Sequence, residues 1–221
     1  TLVGCRAGLS TFRRWRSRQA ALAFGVATGR SFHSAMAILE QQDSPRPQVM
    51  ITSVGSEIYH LDANGVTYTA DAAWRETVAA GWKREAMRAA LDGLDGLAPQ
   101  GPLEQRAFKL SYFGDAAAVA RVRARLARAG LRASVIHSHG RYLDVLPERA
   151  SKGTAVDHVR ALYRLPERAV FVAGDSGNDV EMLRARAQAI IVANYSDDLA
   201  GHAALQHSYV ARASHARGII E

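Results

Sequence analysis

The stretch Val170-Phe171-Val172-Ala173-Gly174-Asp175-Ser176-Gly177-Asn178-Asp179 decides how this chain reads. A short apolar run rich in β-branched residues stops at Gly174, the pattern of a buried strand over 170–173 closed by a turn. Helical patterning resumes at Val180-Glu181-Met182-Leu183. Asp175 and Asp179 therefore fall on the loop leaving the carboxyl end of a strand, where open α/β sheets place their ligands. Hard carboxylate oxygens on such a loop suit Mg²⁺, which takes one or two carboxylates together with water and substrate phosphate. A self-solvating Asp/Asn/Gly turn that caps the next helix uses the same residue types, so this loop alone leaves both readings open.

Two further segments carry related chemistry. Leu22-Ala23-Phe24-Gly25-Val26-Ala27 reads as a second buried strand and ends in Thr28-Gly29-Arg30-Ser31. A hydroxyl, a glycine and a guanidinium at a strand end, just before a helix, make a phosphate cradle. Ser151-Lys152-Gly153-Thr154 opens a helical stretch over 155–163. A lysine at a helix start opposes the dipole preference for acids there, and an anion nearby explains it. A solvated surface lysine is the alternative.

Taken in chain order, these three segments resemble the haloacid dehalogenase (HAD) superfamily of phosphatases. The long interval between Thr28 and Lys152 matches the branch that inserts a cap domain there. Within that branch the chain is similar to sucrose-phosphate phosphatase and to the phosphatase-like domain of bacterial sucrose-phosphate synthases. That likeness rests on Thr52-Ser53-Val54-Gly55-Ser56-Glu57-Ile58-Tyr59, on Glu104-Gln105-Arg106-Ala107-Phe108-Lys109-Leu110-Ser111-Tyr112, and on Tyr142-Leu143-Asp144-Val145-Leu146-Pro147. The resemblance implies an α/β fold, a doubly wound core over 1–69 and 148–221 with an inserted α+β cap over 70–147. It implies a cytoplasmic, Mg²⁺-dependent sugar-phosphate phosphatase of sucrose biosynthesis, acting through an aspartyl phosphate, with sucrose 6-phosphate as the leading substrate.

The resemblance also assigns roles. Thr28 hydrogen-bonds phosphoryl oxygens, with Gly29 and Arg30 completing the cradle. Lys152 neutralises charge on the nucleophile and phosphoryl group. Asp175 ligates Mg²⁺, Asp179 assists directly or through water, and Ser176 and Asn178 orient the loop. In the cap, Glu104, Gln105, Arg106, Lys109 and Tyr112 are candidates for contact with sugar hydroxyls, since a closing lid excludes water and supplies polar groups. A general sugar phosphatase is the nearest rival. From another class, the rival is a catalytically silent domain fused to, or regulating, a sucrose-phosphate synthase glycosyltransferase.

One departure from the family pattern stands out. The family's nucleophile lies in a first motif, Asp-x-Asp-x-Thr, at the end of the first core strand. Here Thr1-Leu2-Val3-Gly4 looks like the tail of that motif, and neither aspartate occurs, nor any other copy of the motif. The expectation is an N-terminally incomplete sequence whose missing central strand leaves a groove unpaired and whose 221 residues alone do not turn over substrate.

Composition agrees with a globular protein: 48% of residues are hydrophobic, enough for a packed core, and no run of eighteen apolar residues marks a membrane span. The single cysteine, Cys5, excludes an internal disulfide and reads as a structural thiol. Arg13, Arg14, Arg16 and Arg18 follow the apolar start, the reverse of a signal peptide, and read as one face of a helix over 9–20. The net charge of +7 invites a nucleic-acid reading. Yet the arginines are spread over helices (Arg121, Arg123, Arg125 and Arg128, then Arg184 and Arg186), and no zinc-finger spacing or aromatic RNA-binding pattern accompanies them. A basic surface instead suits an anionic small-molecule substrate.

Alternation and turn residues predict further helices over 32–41, 73–91 and 116–129. Strands are expected over 49–53, 57–60, 66–69, 108–113, 131–138, 141–146 and 189–192, with 93–102 irregular. Asp62-Ala63-Asn64-Gly65 is a hairpin turn, and Gly130 ends a helix. Trp74 and Trp82 are expected to pack the cap helix, and His137 and His139 to flank a hairpin tip.

Overall fold

The computed structural model describes residues 1–184, 188–200 and 206–221. Arg186, one of the arginines named above, lies outside them. Helix α1 (Arg6–Ser17) starts earlier than its apolar spacing suggests, because the Cys5 thiol caps it by accepting from Gly8 N. It buries Leu9 and Phe12 against Ala216 of the last helix, α8 (His215–Ile220).

A short strand, β1 (Gly25–Ala27), follows, then α2 (Phe32–Gln41). Strands β2 (Val49–Thr52), β3 (Glu57–Leu61) and β4 (Tyr68–Ala70) add to β1 in the order β1-β2-β3-β4. The β1–β2 pair is parallel, with Val26 opposite Met50, and the rest is antiparallel. The β3–β4 turn forms at Asp62–Gly65 as expected, with Asn64 Oδ1 accepting the Val66 and Thr67 amides.

The chain then builds a second layer. The single helix expected over 73–91 is instead two, α3 (Ala72–Ala79) and α4 (Arg84–Leu91), broken where Gly81 takes φ 78°. Strands β5 (Ala98–Pro99), β6 (Leu110–Phe113), β7 (Ala133–Ser138) and β8 (Tyr142–Pro147) form an antiparallel sheet in the order β5-β6-β8-β7, with α5 (Ala116–Arg128) crossing between β6 and β7. Alternation along β8 sends Leu143 and Val145 into a core with Met87, Leu91, Val122 and Leu126. Asp144 and Leu146 turn the other way, and Leu146 packs with Val49, Ile51 and Trp74.

Helix α6 (Lys152–Leu162) returns to the first layer. Strand β9 (Phe171–Gly174), α7 (Val180–Arg184), β10 (Gln188–Ile191) and β11 (Tyr209–Val210) complete it as a parallel sheet ordered β11-β10-β9.

Strands β1 and β9 do not pair with each other. Each bonds to its own sheet, and a groove of about 1010 Å³ runs between them, lined by Phe24–Arg30 on one side and Val170–Ala173 on the other, with Val156, Val159 and Met182 among its walls. This corrects the reading of two fully buried strands. Phe171 is 60% exposed, β1 is at most half-buried, and residues 22–24 stay outside the ladder, where the Gln48 side chain serves the Phe24 amide at 2.8 Å. Edge strands facing a groove keep part of their surface in water whatever their hydrophobicity.

Candidate active site

The carboxyl ends of β1 and β9 and the start of α6 open on the same end of that groove. Thr28 continues from β1, its amide held by Ile51 O at 2.9 Å and its hydroxyl accepting from Arg30 N at 3.2 Å. The Gly29 Cα lies so near Asn178 that an added Cβ meets its Nδ2 at 3.4 Å, which brings the two loops together. Arg30 is exposed, with Ser34 Oγ at 3.5 Å.

Lys152 is the first residue of α6, whose start is fixed by a reciprocal Ser151–Thr154 capping box. The lysine is 4% exposed, and the anion that its place implies is there: Nζ donates to Asp179 Oδ1 at 2.7 Å and to Asn178 Oδ1 at 2.5 Å. The second oxygen of Asp179 accepts the Asp175 and Ser176 amides at 3.0 and 3.1 Å. Both Asp179 oxygens are thus occupied in holding Lys152 and shaping the loop. Gly174 is required beneath them, since a Cβ there would sit 2.6 Å from that of Asp179.

Asp175 differs. Its carboxylate takes the Thr1 ammonium on Oδ2 and the Thr1 hydroxyl on Oδ1 at 2.7 Å, with Asn194 Nδ2 at 3.5 Å. Burial pulls its pKa upward, but the Thr1 ammonium and hydroxyl prevail and hold it below the ordinary value. No group of three or more acidic, histidine or cysteine side chains suited to a metal occurs among the described residues. Asp175 still fits Mg²⁺: its carboxylate is a hard oxygen donor on the wall of the groove mouth, and Mg²⁺ needs only one or two carboxylates beside phosphate and water.

The second sheet faces this mouth. Lys109 is 2% exposed and points across to Gly29 O at 3.5 Å, with Asp144 Oδ1 at 3.5 Å and Glu104 Oε2 at 3.6 Å. Burial raises the Asp144 pKa despite the opposing effects of Lys109 and Ser111. Arg106 Nε reaches Glu57 Oε1 at 3.2 Å. Gln105 is a strut instead, its amide bonded to Ser111 N, Ser111 O and Gln100 O, and Tyr112 is buried in the second core. Trp82 does pack that layer, while Trp74 is buried with Val49 and Ile51 and donates to Gly55 O at 3.0 Å.

Glu57 and Asp144 were not singled out by sequence as site residues, although a lone acid inside the apolar run 143–146 is a readable signal. A strand-end phosphate cradle, a lysine locked to an acid loop and a second layer closing over them define a phosphoryl-transfer enzyme of the HAD type. A haloacid dehalogenase-like hydrolase of Bacillus subtilis shares the fold, with a TM-score of 0.66 at 17% identity over 97% of this chain and 82% of that one.

The whole chain, residues 1–221, matches the family of sucrose-6F-phosphate phosphohydrolases. It belongs to that family, whose members are sugar-phosphate phosphatases. The sucrose-phosphatase of Synechocystis, solved with sucrose and phosphate, superimposes with a TM-score of 0.89 at 31% identity, over 99% of this chain and 90% of its own. The mannosylfructose-phosphate phosphatase of Agrobacterium fabrum is 27% identical over 199 residues, 88% of this chain and 79% of that protein. A probable sucrose-phosphatase of Arabidopsis thaliana is 30% identical over 182 residues, but the chain spans only 42% of its length.

Proposed function

We propose that these residues bind and position the phosphate ester of a disaccharide, with sucrose 6-phosphate the leading substrate, in a Mg²⁺-dependent hydrolysis. The observation that carries this reading is the meeting of two sets of groups at one mouth. Thr28, Gly29, Lys152 and Asp175 suit a phosphoryl group, and Lys109, Glu104 and Asp144 suit hydroxyls. Two of the proteins named above, the sucrose-phosphatase of Synechocystis and the mannosylfructose-phosphate phosphatase of Agrobacterium fabrum, take their names from disaccharides.

Thr28 and the neighbouring amides receive phosphoryl oxygens. Lys152 supplies positive charge beside them, and Asp179 keeps its ammonium aimed. Asp175 is the residue that would hold Mg²⁺, which would offset negative charge on the phosphoryl oxygens, while Asn194 Nδ2, 3.5 Å from Asp175 Oδ2, steadies the carboxylate. Residues 70–147 act as the cap, and the core comprises 1–69 and 148–221. No helix of the described residues is long and apolar enough to cross a membrane, and the lone thiol used as a helix cap suits the cytoplasm.

The 221 residues hold no Asp-x-Asp-x-Thr, so hydrolysis by this chain alone is expected to stay at background. The test is to extend the chain ahead of Thr1 with an apolar strand ending in Asp-x-Asp-x, so that Thr1 completes the motif, and to measure phosphate release. Sucrose 6-phosphate should be favoured over glucose 6-phosphate and fructose 6-phosphate by roughly tenfold or more in kcat/KM, and Asp175→Ala should abolish the reaction. Equal rates on the three esters reduce the reading to a general sugar phosphatase. Tight binding without turnover favours the regulatory domain of a sucrose-phosphate synthase.

A further inference from the structure

Asp198 has no place in the roles above, yet it joins the two layers. It lies in the loop after β10, half-buried, and one oxygen, Oδ2, accepts two backbone amides from distant parts of the chain. One is His139 N, at 2.8 Å, from the tip of the β7–β8 hairpin in the cap. The other is Gly177 N, at 3.1 Å, from the loop between Asp175 and Asp179. The hairpin is built to offer that amide. Ser138 pairs with Tyr142, and in the three residues between them His139 and Gly140 have positive φ, 52° and 63°, while Arg141 N closes the turn on Ser138 O, so the His139 N–H lies outside the strand ladder.

The loop is built to approach it. A Cβ at Gly177 would stand 2.7 Å from Asp198 Oδ2 and 2.9 Å from His137 O, so only glycine lets the hairpin this close. The carboxylate is braced from behind, where Ser196 contacts Asp198 Oδ1 and its amide and hydroxyl contact Asp175 O at 2.8 and 3.1 Å. Burial raises the Asp198 pKa, but Ser196 and the His139 and Gly177 amides outweigh it and bring it below its ordinary value.

We infer that Asp198 is a positioning residue that ties closure of the cap hairpin to the shape of the Asp175–Asp179 loop. When Asp198 is displaced, the hairpin amide and the loop amide lose their acceptor together, and when the hairpin lifts, its His137 carbonyl also leaves its place beside Gly177. The inference uses the cap reading given above, but its test reads backbone amides and needs neither substrate nor turnover.

Amide hydrogen exchange on the 221-residue chain checks it. In Asp198→Ala, the amides of His139 and Gly177 should both exchange roughly tenfold faster or more, while those of Val145 and Val172 keep their rates. Asp198→Asn should stay near the parent rates: its oxygen accepts the two amides, and its NH2 donates to Ser196 Oγ, which is then free to donate to Asp175 O. Gly177→Ala, which leaves Asp198 intact but wedges a methyl between loop and hairpin, should also speed exchange at His139. Faster exchange at Gly177 with His139 unchanged in Asp198→Ala would overturn the coupling. So would equal loosening in Asp198→Asn and Asp198→Ala. If Asp198→Ala loosens Val145 and Val172 as well, Gly177→Ala decides, and an unmoved His139 amide there sinks the proposal.

Discussion

Lys152 and Lys109 face the same mouth at 4% and 2% exposure, yet only Lys152 is clamped. Its ammonium sits within 2.7 Å of an aspartate and an asparagine whose loop is itself pinned by backbone amides. The neighbours of Lys109 stand at 3.5 to 3.6 Å, and the buried one of its two acids, Asp144, has its pKa raised by burial. A buried charge in close contact belongs to the fold as much as to the site. One that is buried and loosely met keeps bonding capacity for something else, and here that is a ligand.

The largest effect that bears on this contrast is expected at Lys152. Lys152→Met leaves Asp179 buried without its cation and should cost about 3–5 kcal/mol in urea unfolding. Lys109→Met should cost much less in the same experiment, about 1 kcal/mol, because its acidic partners stand at 3.5 to 3.6 Å and Ser111 still donates to Asp144 at 2.7 Å. It should instead weaken binding of sucrose 6-phosphate to the chain by roughly tenfold in calorimetry. A stability loss for Lys109→Met equal to that of Lys152→Met would erase the distinction.

Asp71 sharpens the comparison with a third arrangement. It caps α3 through Trp74 N and gives its other oxygen to His60 and His158 at 2.8 and 2.9 Å. Burial raises its pKa, but the Trp74 amide and the two imidazoles bring it below the usual 3.8. A carboxyl depressed on folding stabilises fully above its unfolded pKa, and that stability fades as pH falls through the lower folded value. Asp71→Asn should therefore flatten the acid limb of stability below about pH 4 and cost only about 1 kcal/mol at neutrality. An unchanged acid limb would remove Asp71 from that role.

The sequence made parts of this legible for local reasons. Helix α2 was readable to the residue, and Thr28, Lys152, Asp175 and Asp179 stood out because each marks the end of a strand or the start of a helix. The 73–91 error was also local: Trp74, Val78 and Trp82 keep a four-residue spacing that hides the break at Gly81. Glu57, Asp144 and Asp198 owe their meaning to partners far along the chain, Arg106 at 49 residues, Ser111 at 33 and His139 at 59. No spacing rule reaches that far. Burial of the strands flanking the groove was misjudged because hydrophobic runs report what a strand can bury, and neighbours decide what it does bury.

The groove between β1 and β9 also leaves a calorimetric mark. Apolar walls such as Val26, Val156, Val159 and Phe171 line space that water enters in the folded chain, so unfolding transfers less new apolar surface to solvent than the length of 221 residues suggests. Heat-capacity change and denaturant slope both follow that transfer, so both should fall below the values typical of a chain this long. A ligand or peptide that seals the groove would raise them together, which makes the curvature of the stability profile a gauge of whether the two half-sheets have been joined.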